Sequence, residues 1–239
     1  MDKIGHLKEV MQGAGITLDQ HQCMQFMEYY QLLIEWNEFM NLTAITEFEE
    51  VVNKHFLDSL QLVLAIDLSK KKRILDLGTG AGFPGIPLKI MFPDLKMTLL
   101  DSLNKRINFL NEVICRIGLS DIETLHGRAE DYGRKEDYRE SYDICVSRAV
   151  ANLATLSEYC LPYVKKGGYF VPYKSGDIHE EINASKRAVE LLGGKIQKIH
   201  SFTLPNTDIE RSLIVINKVK ETPKKYPRMA GKPSKEPIK

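Results

Sequence analysis

The run Ile74-Leu75-Asp76-Leu77-Gly78-Thr79-Gly80-Ala81-Gly82-Phe83-Pro84 constrains the fold more than any other stretch of this chain. Its first half is apolar and short enough for one buried strand, and its second half is a glycine turn with proline placed for the first turn of a helix. Glycine is needed there because a side chain would block the approach of a ligand to the backbone at the strand's end. A tight turn with no ligand is the plain alternative. A glycine-rich match points to a ligand only between a strand and a helix, which is where this one falls.

The pattern then repeats. Arg73–Leu77, Met97–Leu100, Ile122–Leu125, Ile144–Val146 and Tyr169–Val171 read as buried strands, separated by amphipathic segments near Pro84–Met91, Asn104–Ile117, Asn152–Val164 and Ile178–Leu191. This is the βαβα rhythm of a doubly wound α/β sheet, with ligands expected at the strand carboxyl ends. The last two runs, Lys195–Thr203 and Ser212–Val219, have no helix between them and are expected to pair antiparallel.

Asp101 closes the second run, after Thr98-Leu99-Leu100. A carboxylate there can accept both hydroxyls of a ribose. It can also stabilise the N-terminus of the helix beginning near Asn104. The order of loop, strand and acid favours the ribose. A dinucleotide fingerprint places its third glycine three positions after the second, whereas here Gly80 is followed by Gly82, and Asp76 stands two residues before Gly78. The arrangement Asp76-x-Gly78-x-Gly80-x-Gly82 resembles the first motif of class I methyltransferases, where the acid helps hold the methionine end of S-adenosyl-L-methionine. In that class the third strand is followed by contacts to adenine, here Ala129-Glu130-Asp131, and Ser147-Arg148-Ala149 would face the methyl acceptor. A solvated acidic loop is the other reading of Glu130 and Asp131.

Before Lys72 no strand pattern occurs. Apolar residues at Cys23, Phe26, Met27, Tyr30, Leu33 and Ile34 mark one helical face, with Thr17 and Gln20 as a candidate capping box, and Val52, Phe56, Leu60 and Val63 mark another. The expected division is a helical unit over 1–70, the cofactor-binding domain over 71–219 and an irregular tail over 220–239. With 239 residues, 43% of them hydrophobic, the chain can bury a full core. Net charge is only +1, yet residues 1–70 carry −7 and residues 220–239 carry +5 with four prolines, so the tail suits an anionic partner.

Cys23, Cys115, Cys145 and Cys160 lie far apart, without zinc-site spacing or disulfide density, which points to a reducing cytoplasm and no metal. The start, Met1 to Val10, lacks the apolar core of a signal peptide, and no run is long enough to span a bilayer.

Several segments together resemble the glucose-inhibited division protein B family of bacterial ribosomal RNA methyltransferases. They are Trp36-Asn37, Asn41-Leu42-Thr43 and Ile45; His55-Phe56-Leu57-Asp58-Ser59-Leu60; the glycine loop continued through Gly85-Ile86-Pro87; Ser147-Arg148-Ala149; and Tyr226-Pro227-Arg228-Met229-Ala230-Gly231-Lys232-Pro233. The resemblance implies a class I fold and S-adenosyl-L-methionine-dependent methylation of guanine N7 at position 527 of 16S ribosomal RNA in the small ribosomal subunit. It carries cofactor contacts onto Gly78, Phe83, Ala129, Glu130 and Arg148, and it assigns no general base.

Guanine N7 has a free lone pair and no proton, so the absence of a base is chemically reasonable. Arg148 then becomes the candidate that positions the acceptor or cofactor, against the alternative of a structural salt bridge. Asp76, Gly78, Gly80, Gly82, Phe83, Asp101, Ala129 and Glu130 complete the expected cofactor set. Lys224, Lys225, Arg228 and Lys232 are the expected RNA contacts, with a merely solvated tail as the alternative. His55 and Asp58 read as structural, Cys115 and Cys145 as core filling, while Trp36, Asn37 and Asn41 could face either RNA or the core. A monomer is expected. Two other functions remain open to the sequence: methylation of a small molecule, and non-catalytic RNA binding.

Overall fold

The computed structural model describes residues 2–70, 72–148, 151–176 and 178–239, so Ala149 of the Ser147-Arg148-Ala149 segment lies outside the described residues. Seven strands make one sheet in the order β3-β2-β1-β4-β5-β7-β6. They are β1 (Arg73–Leu77), β2 (Lys96–Asp101), β3 (Ile122–His126), β4 (Tyr142–Ser147), β5 (Val164–Ser175), β6 (Gly194–Thr203) and β7 (Glu210–Lys218). The first five pair in parallel, and β7 runs antiparallel between β5 and β6, which is the antiparallel finish expected from the missing helix. This is the mostly parallel class I methyltransferase sheet. Strand order reverses between β1 and β4, and such a switch point opens a crevice at the strand carboxyl ends.

Alternation along each strand divides the core. Ile74, Met97, Leu99, Ile144 and Val146 pack on one face, Leu75, Leu77, Leu100, Cys145 and Phe170 on the other. Near-continuous apolar runs follow because both faces are covered. The first face also receives the N-terminal helices, α1 (Lys3–Gly13), α2 (Gln20–Met40), α3 (Phe48–Val51) and α4 (Asp58–Leu60), so residues 1–70 and the sheet share one apolar cluster. On α2 the expected face is buried at Cys23, Phe26, Tyr30 and Leu33. Its capping box is Asp19 with Gln22, two residues later than Thr17 and Gln20: Asp19 Oδ1 accepts from Gln22 N at 2.8 Å, and Gln22 Oε1 accepts from Asp19 N at 3.0 Å. Asp19 wins because its carboxylate is the stronger acceptor for an unpaired helix-start amide.

Trp36 packs against Phe109 with ring centroids 5.7 Å apart, Asn37 Oδ1 accepts from Thr43 N, and Asn41 ends α2 in a left-handed conformation. All three hold the C-terminal end of α2 in place. Between α3 and α4 the chain winds as a π-helix over Val52–Leu57, then tightens to a 3-10 turn over Gln61–Leu64. The changed winding turns Val63 out to solvent, although Val52, Phe56 and Leu60 are buried as expected.

The crossover helices are α5 (Gly85–Met91), α6 (Asn104–Arg116), α7 (Ala129–Tyr132), α8 (Leu153–Cys160) and α9 (His179–Leu191); α10 (Lys232–Lys235) lies in the tail. Cys145 is core, as expected, and burial pushes its thiol up, whereas Cys115 is exposed on α6. The apolar stripe of α6 runs through Ile107, Leu110 and Val113, and Cys115 falls off it. No described helix is long and apolar enough to cross a membrane.

Candidate active site

The glycine turn is built on hydrogen bonds from below. Gly78 N donates to Leu100 O at 2.8 Å and Gly80 N to Asp101 Oδ2 at 2.9 Å, tying the end of β1 to the end of β2. Gly80 has φ +62, and a Cβ added there would meet nothing within 4 Å, so this residue borders open space. Gly82 has φ +98, and a Cβ there would strike Ile86 Cδ1 at 2.6 Å and the hydroxyl of Tyr29 at 2.9 Å, so its lack of a side chain serves packing against both α5 and α2.

Asp76 braces the turn from inside. Its Oδ2 accepts from Thr79 Oγ1 at 2.6 Å and Gly85 N at 2.8 Å, while Oδ1 is buried without a hydrogen-bond partner among the described residues. Burial raises its pKa to about 6 against these two stabilising bonds. Asp76 is wholly buried and lines neither of the two clefts beside the turn; both of its hydrogen bonds go to the loop it shapes.

A cleft of about 300 Å³ opens beside the turn, lined by Gly78, Asp101, Arg106, Ala129, Glu130 and Tyr159 among others. Asp101 lines this cleft and also meets the start of the next helix, the second of its two sequence readings. Its Oδ1 accepts from Leu103 N at the start of α6, while Oδ2 receives Gly80 N and Arg106 Nη1, the latter at 3.2 Å. Glu130 is buried in α7, and its Oε1 accepts from Gly231 N of the tail at 2.7 Å.

A larger cavity of about 660 Å³ adjoins it, lined by His55, Asp58, Arg148, Lys174, Glu181 and Arg211 among others, and the two share Ala151. Arg148, the residue after β4, lines the larger cavity and not the cleft beside the glycine turn. Its Nη1 donates to Asp58 Oδ2 and to Lys54 O, each at 3.1 Å, and its guanidinium lies 4.9 Å over the Phe83 ring. Phe83, an expected cofactor contact, is buried and lines neither cleft; its ring stacks on His55 at 4.5 Å and lies 5.4 Å from Tyr29.

Burial and then the Arg148 charge depress the His55 pKa to about 3, so the imidazole is neutral. Arg148 can only donate, so Nδ1, 3.1 Å from Nη2, must accept; the ring proton sits on Nε2 and reaches Thr43 Oγ1 at 2.9 Å. The Lys54 carbonyl beside Nδ1 is instead served by Arg148 Nη1.

His55 and Asp58 join the helical layer to the sheet, as their structural reading expected, and they do so at the cavity rather than away from it. Arg211 carries no sequence signal of a site. It heads β7, which no local motif marks, and its Nε lies 3.3 Å from Asp58 Oδ1, so Asp58 faces two arginines.

The tail is irregular but fastened down. Lys224, Lys225 and Lys232 are exposed. Arg228 differs from them: its Nε and Nη2 grip the carboxylate of Glu158, with Nη2 to Oε2 at 2.6 Å and Glu158 only 1% exposed. The guanidinium expected for RNA phosphate is committed to the protein's own acid.

The family model described as rRNA small subunit methyltransferase G matches residues 22–214. Ribosomal RNA small subunit methyltransferase G of Lachnoclostridium phytofermentans is 61% identical over 95% of this chain and 94% of its own length. The protein of the same name from Clostridium botulinum is 54% identical over all of both chains. Among solved structures, MtNAS in complex with MTA and tNA shares the fold at 14% identity, TM-score 0.55, covering 82% of this chain and 71% of that one. By motif, sheet order and full-length identity, the chain belongs to the rRNA small subunit methyltransferase G family.

Proposed function

We propose that this chain is an S-adenosyl-L-methionine-dependent methyltransferase that methylates N7 of the guanine at position 527 of 16S ribosomal RNA. The reading is carried by two clefts that meet at Ala151, one bordered by the glycine turn, Asp101 and Glu130, the other by Arg148 and Arg211. Full-length relatives named as ribosomal RNA small subunit methyltransferases support the substrate class.

The residues present fit the cofactor. Gly80 borders open space, and Asp101 at the β2 end can exchange its Arg106 contact for a ribose hydroxyl. Glu130 is a buried acid in the lining of the same cleft and can accept from an adenine amine. When bound, S-adenosyl-L-methionine supplies an electrophilic sulfonium methyl.

Guanine N7 presents its lone pair without losing a proton, so no side chain need act as base. His55 suits that chemistry. It stays neutral, and its one ring lone pair is occupied by Arg148. Arg148 acts as a fixed donor for guanine O6 or a phosphate, since a hydrogen bond to N7 would hide the nucleophile. Holding acceptor and methyl in line can contribute up to about 7–11 kcal/mol in ideal intramolecular cases.

Exposed Lys224, Lys225 and Lys232 contact RNA phosphates, and the enzyme works as a monomer in the cytoplasm, where ribosomal subunits are assembled. Incubation with methyl-labelled S-adenosyl-L-methionine and either small subunits lacking the modification, naked 16S RNA or a small-molecule extract tests this. Label in N7-methylguanine supports the proposal and identifies the preferred RNA form. Label in a metabolite, or none, overturns it.

A further inference from the structure

Two residues of the tail, Gly231 and Ser234, line the same cleft as Gly78, Asp101 and Glu130, which sets the segment Met229–Ser234 against it. We infer that this segment is the outer wall of an adenine-nucleoside subsite, with Gly231 and Ser234 facing the base that Glu130 would recognise from within. The inference rests on the cofactor reading above and adds to it a wall from outside the sheet domain.

Its attachment is specific. Arg228 closes a two-pronged pair on Glu158 and also donates its backbone N–H to Glu158 Oε1 at 2.8 Å. Glu158 belongs to α8 and is almost wholly buried, so its charge depends on this partner. The same guanidinium donates to Glu236 O at 2.8 Å, fastening the chain at both ends of this segment. Thr155, also on α8, donates its hydroxyl to Pro233 O at 3.1 Å. On the other side Gly231 N donates to Glu130 Oε1 at 2.7 Å.

These anchors hold Gly231 at φ +81, and a Cβ added there would meet nothing within 4 Å. The backbone therefore borders open space at a residue that lines the cleft. Tyr159, the residue after the Glu158 anchor on α8, also lines the cleft, and an aromatic side chain there suits a flat base. Glu130 acquires a defined orientation from the contact. One carboxylate oxygen is fixed by the tail amide, and the other can accept from an exocyclic amine.

Calorimetry with two probes tests the wall. S-adenosylhomocysteine carries both ends of the cofactor, whereas methylthioadenosine has the nucleoside without the amino acid. A chain ending at Met229 keeps the Arg228–Glu158 pair and loses Gly231 and Ser234. It is expected to bind both probes about tenfold or more weakly, by a similar factor for each. Ser234→Trp, at an exposed position, should do the same by filling the cleft while its melting temperature stays at the wild-type value. Equal binding by wild type and both variants overturns the inference and leaves the cofactor reading intact. Loss for S-adenosylhomocysteine but not for methylthioadenosine also overturns it, since the wall would then lie at the amino-acid end. If wild type binds neither probe, the cofactor reading itself fails.

Discussion

Arg148 Nη1 lies 3.1 Å from Asp58 Oδ2, so an arginine delivered by the sheet is aimed by a carboxylate from the helical layer. Ninety residues separate the two in sequence. Asp58 is 1% exposed, and its second oxygen faces Arg211, so its charge is shared between two cations. Neither the helical layer nor the sheet alone would fix the guanidinium at the larger cavity.

Replacing Arg148 with Ala follows from that sharing. Asp58 keeps Arg211, so no buried carboxylate is stranded, and the fold should lose about 1–2 kcal/mol. Methyl transfer should fall about 10–100-fold, the worth of a lost charge-assisted hydrogen bond in a dry site. Single-turnover rates and denaturant midpoints measured on the same preparation check both. Wild-type turnover in a folded Arg148→Ala protein removes its functional role.

His55 gives a pH signature. Its folded pKa is about 3, against 6.5 for an unperturbed imidazole. As pH falls below 6.5 the unfolded chain takes up a proton that the folded chain refuses, so stability present above 6.5 is lost on acidification. Between pH 6.5 and 4 this amounts to about 3 kcal/mol as an upper value. His55→Gln, which keeps a hydrogen-bonding group beside Arg148, should flatten that acid slope in urea titrations. An unchanged slope would mean that the imidazole charges in place.

Asp76 has the opposite sign. The folded carboxyl holds its proton to about pH 6, whereas the unfolded one releases it near 3.8. Stability is full below 3.8 and falls as pH rises through 6, by about 3 kcal/mol in all. Asp76→Asn removes the titration while retaining an acceptor for Thr79 and Gly85. Whatever its fixed offset, its stability relative to wild type should therefore improve between pH 4 and pH 7. A pH-independent difference would show that Asp76 does not titrate in that window.

Much of the fold was legible because parallel strands buried on both faces announce themselves as short apolar runs. Arg73–Leu77 was read to the residue, and the other runs fell within or beside the observed strands. Helix ends and windings were less visible. A π-helical turn over Val52–Leu57 obeys the same local pattern as an α-helix until the next layer fixes its register. Gly78, Asp101 and Glu130 fall at or just after consecutive strand ends, a local pattern, and they line one cleft; Gly80, Gly82 and Phe83 share the motif but not the lining. Arg211 and Glu158 were not legible, because each matters only through a partner far along the chain, Asp58 for one and Arg228 for the other. The tail shows the limit of composition most clearly, since its charge suggested one role for residues that the fold separates.

That separation yields a last pair of outcomes. Arg228→Ala leaves the Glu158 charge buried without its cation and should cost about 3–5 kcal/mol, most of it recovered when Glu158 is changed to Gln in the same chain. Lys224→Ala with Lys225→Ala touches two exposed side chains and should change stability by less than about 0.5 kcal/mol each. In RNA-binding titrations the same double lysine variant should lower the dependence of log affinity on log salt by about 1.4–1.8, two phosphate contacts' worth. A stable Arg228→Ala protein would mean that Glu158 is neutral or solvated. A salt slope unaltered by the lysine changes would leave the exposed part of the tail without a part in RNA binding.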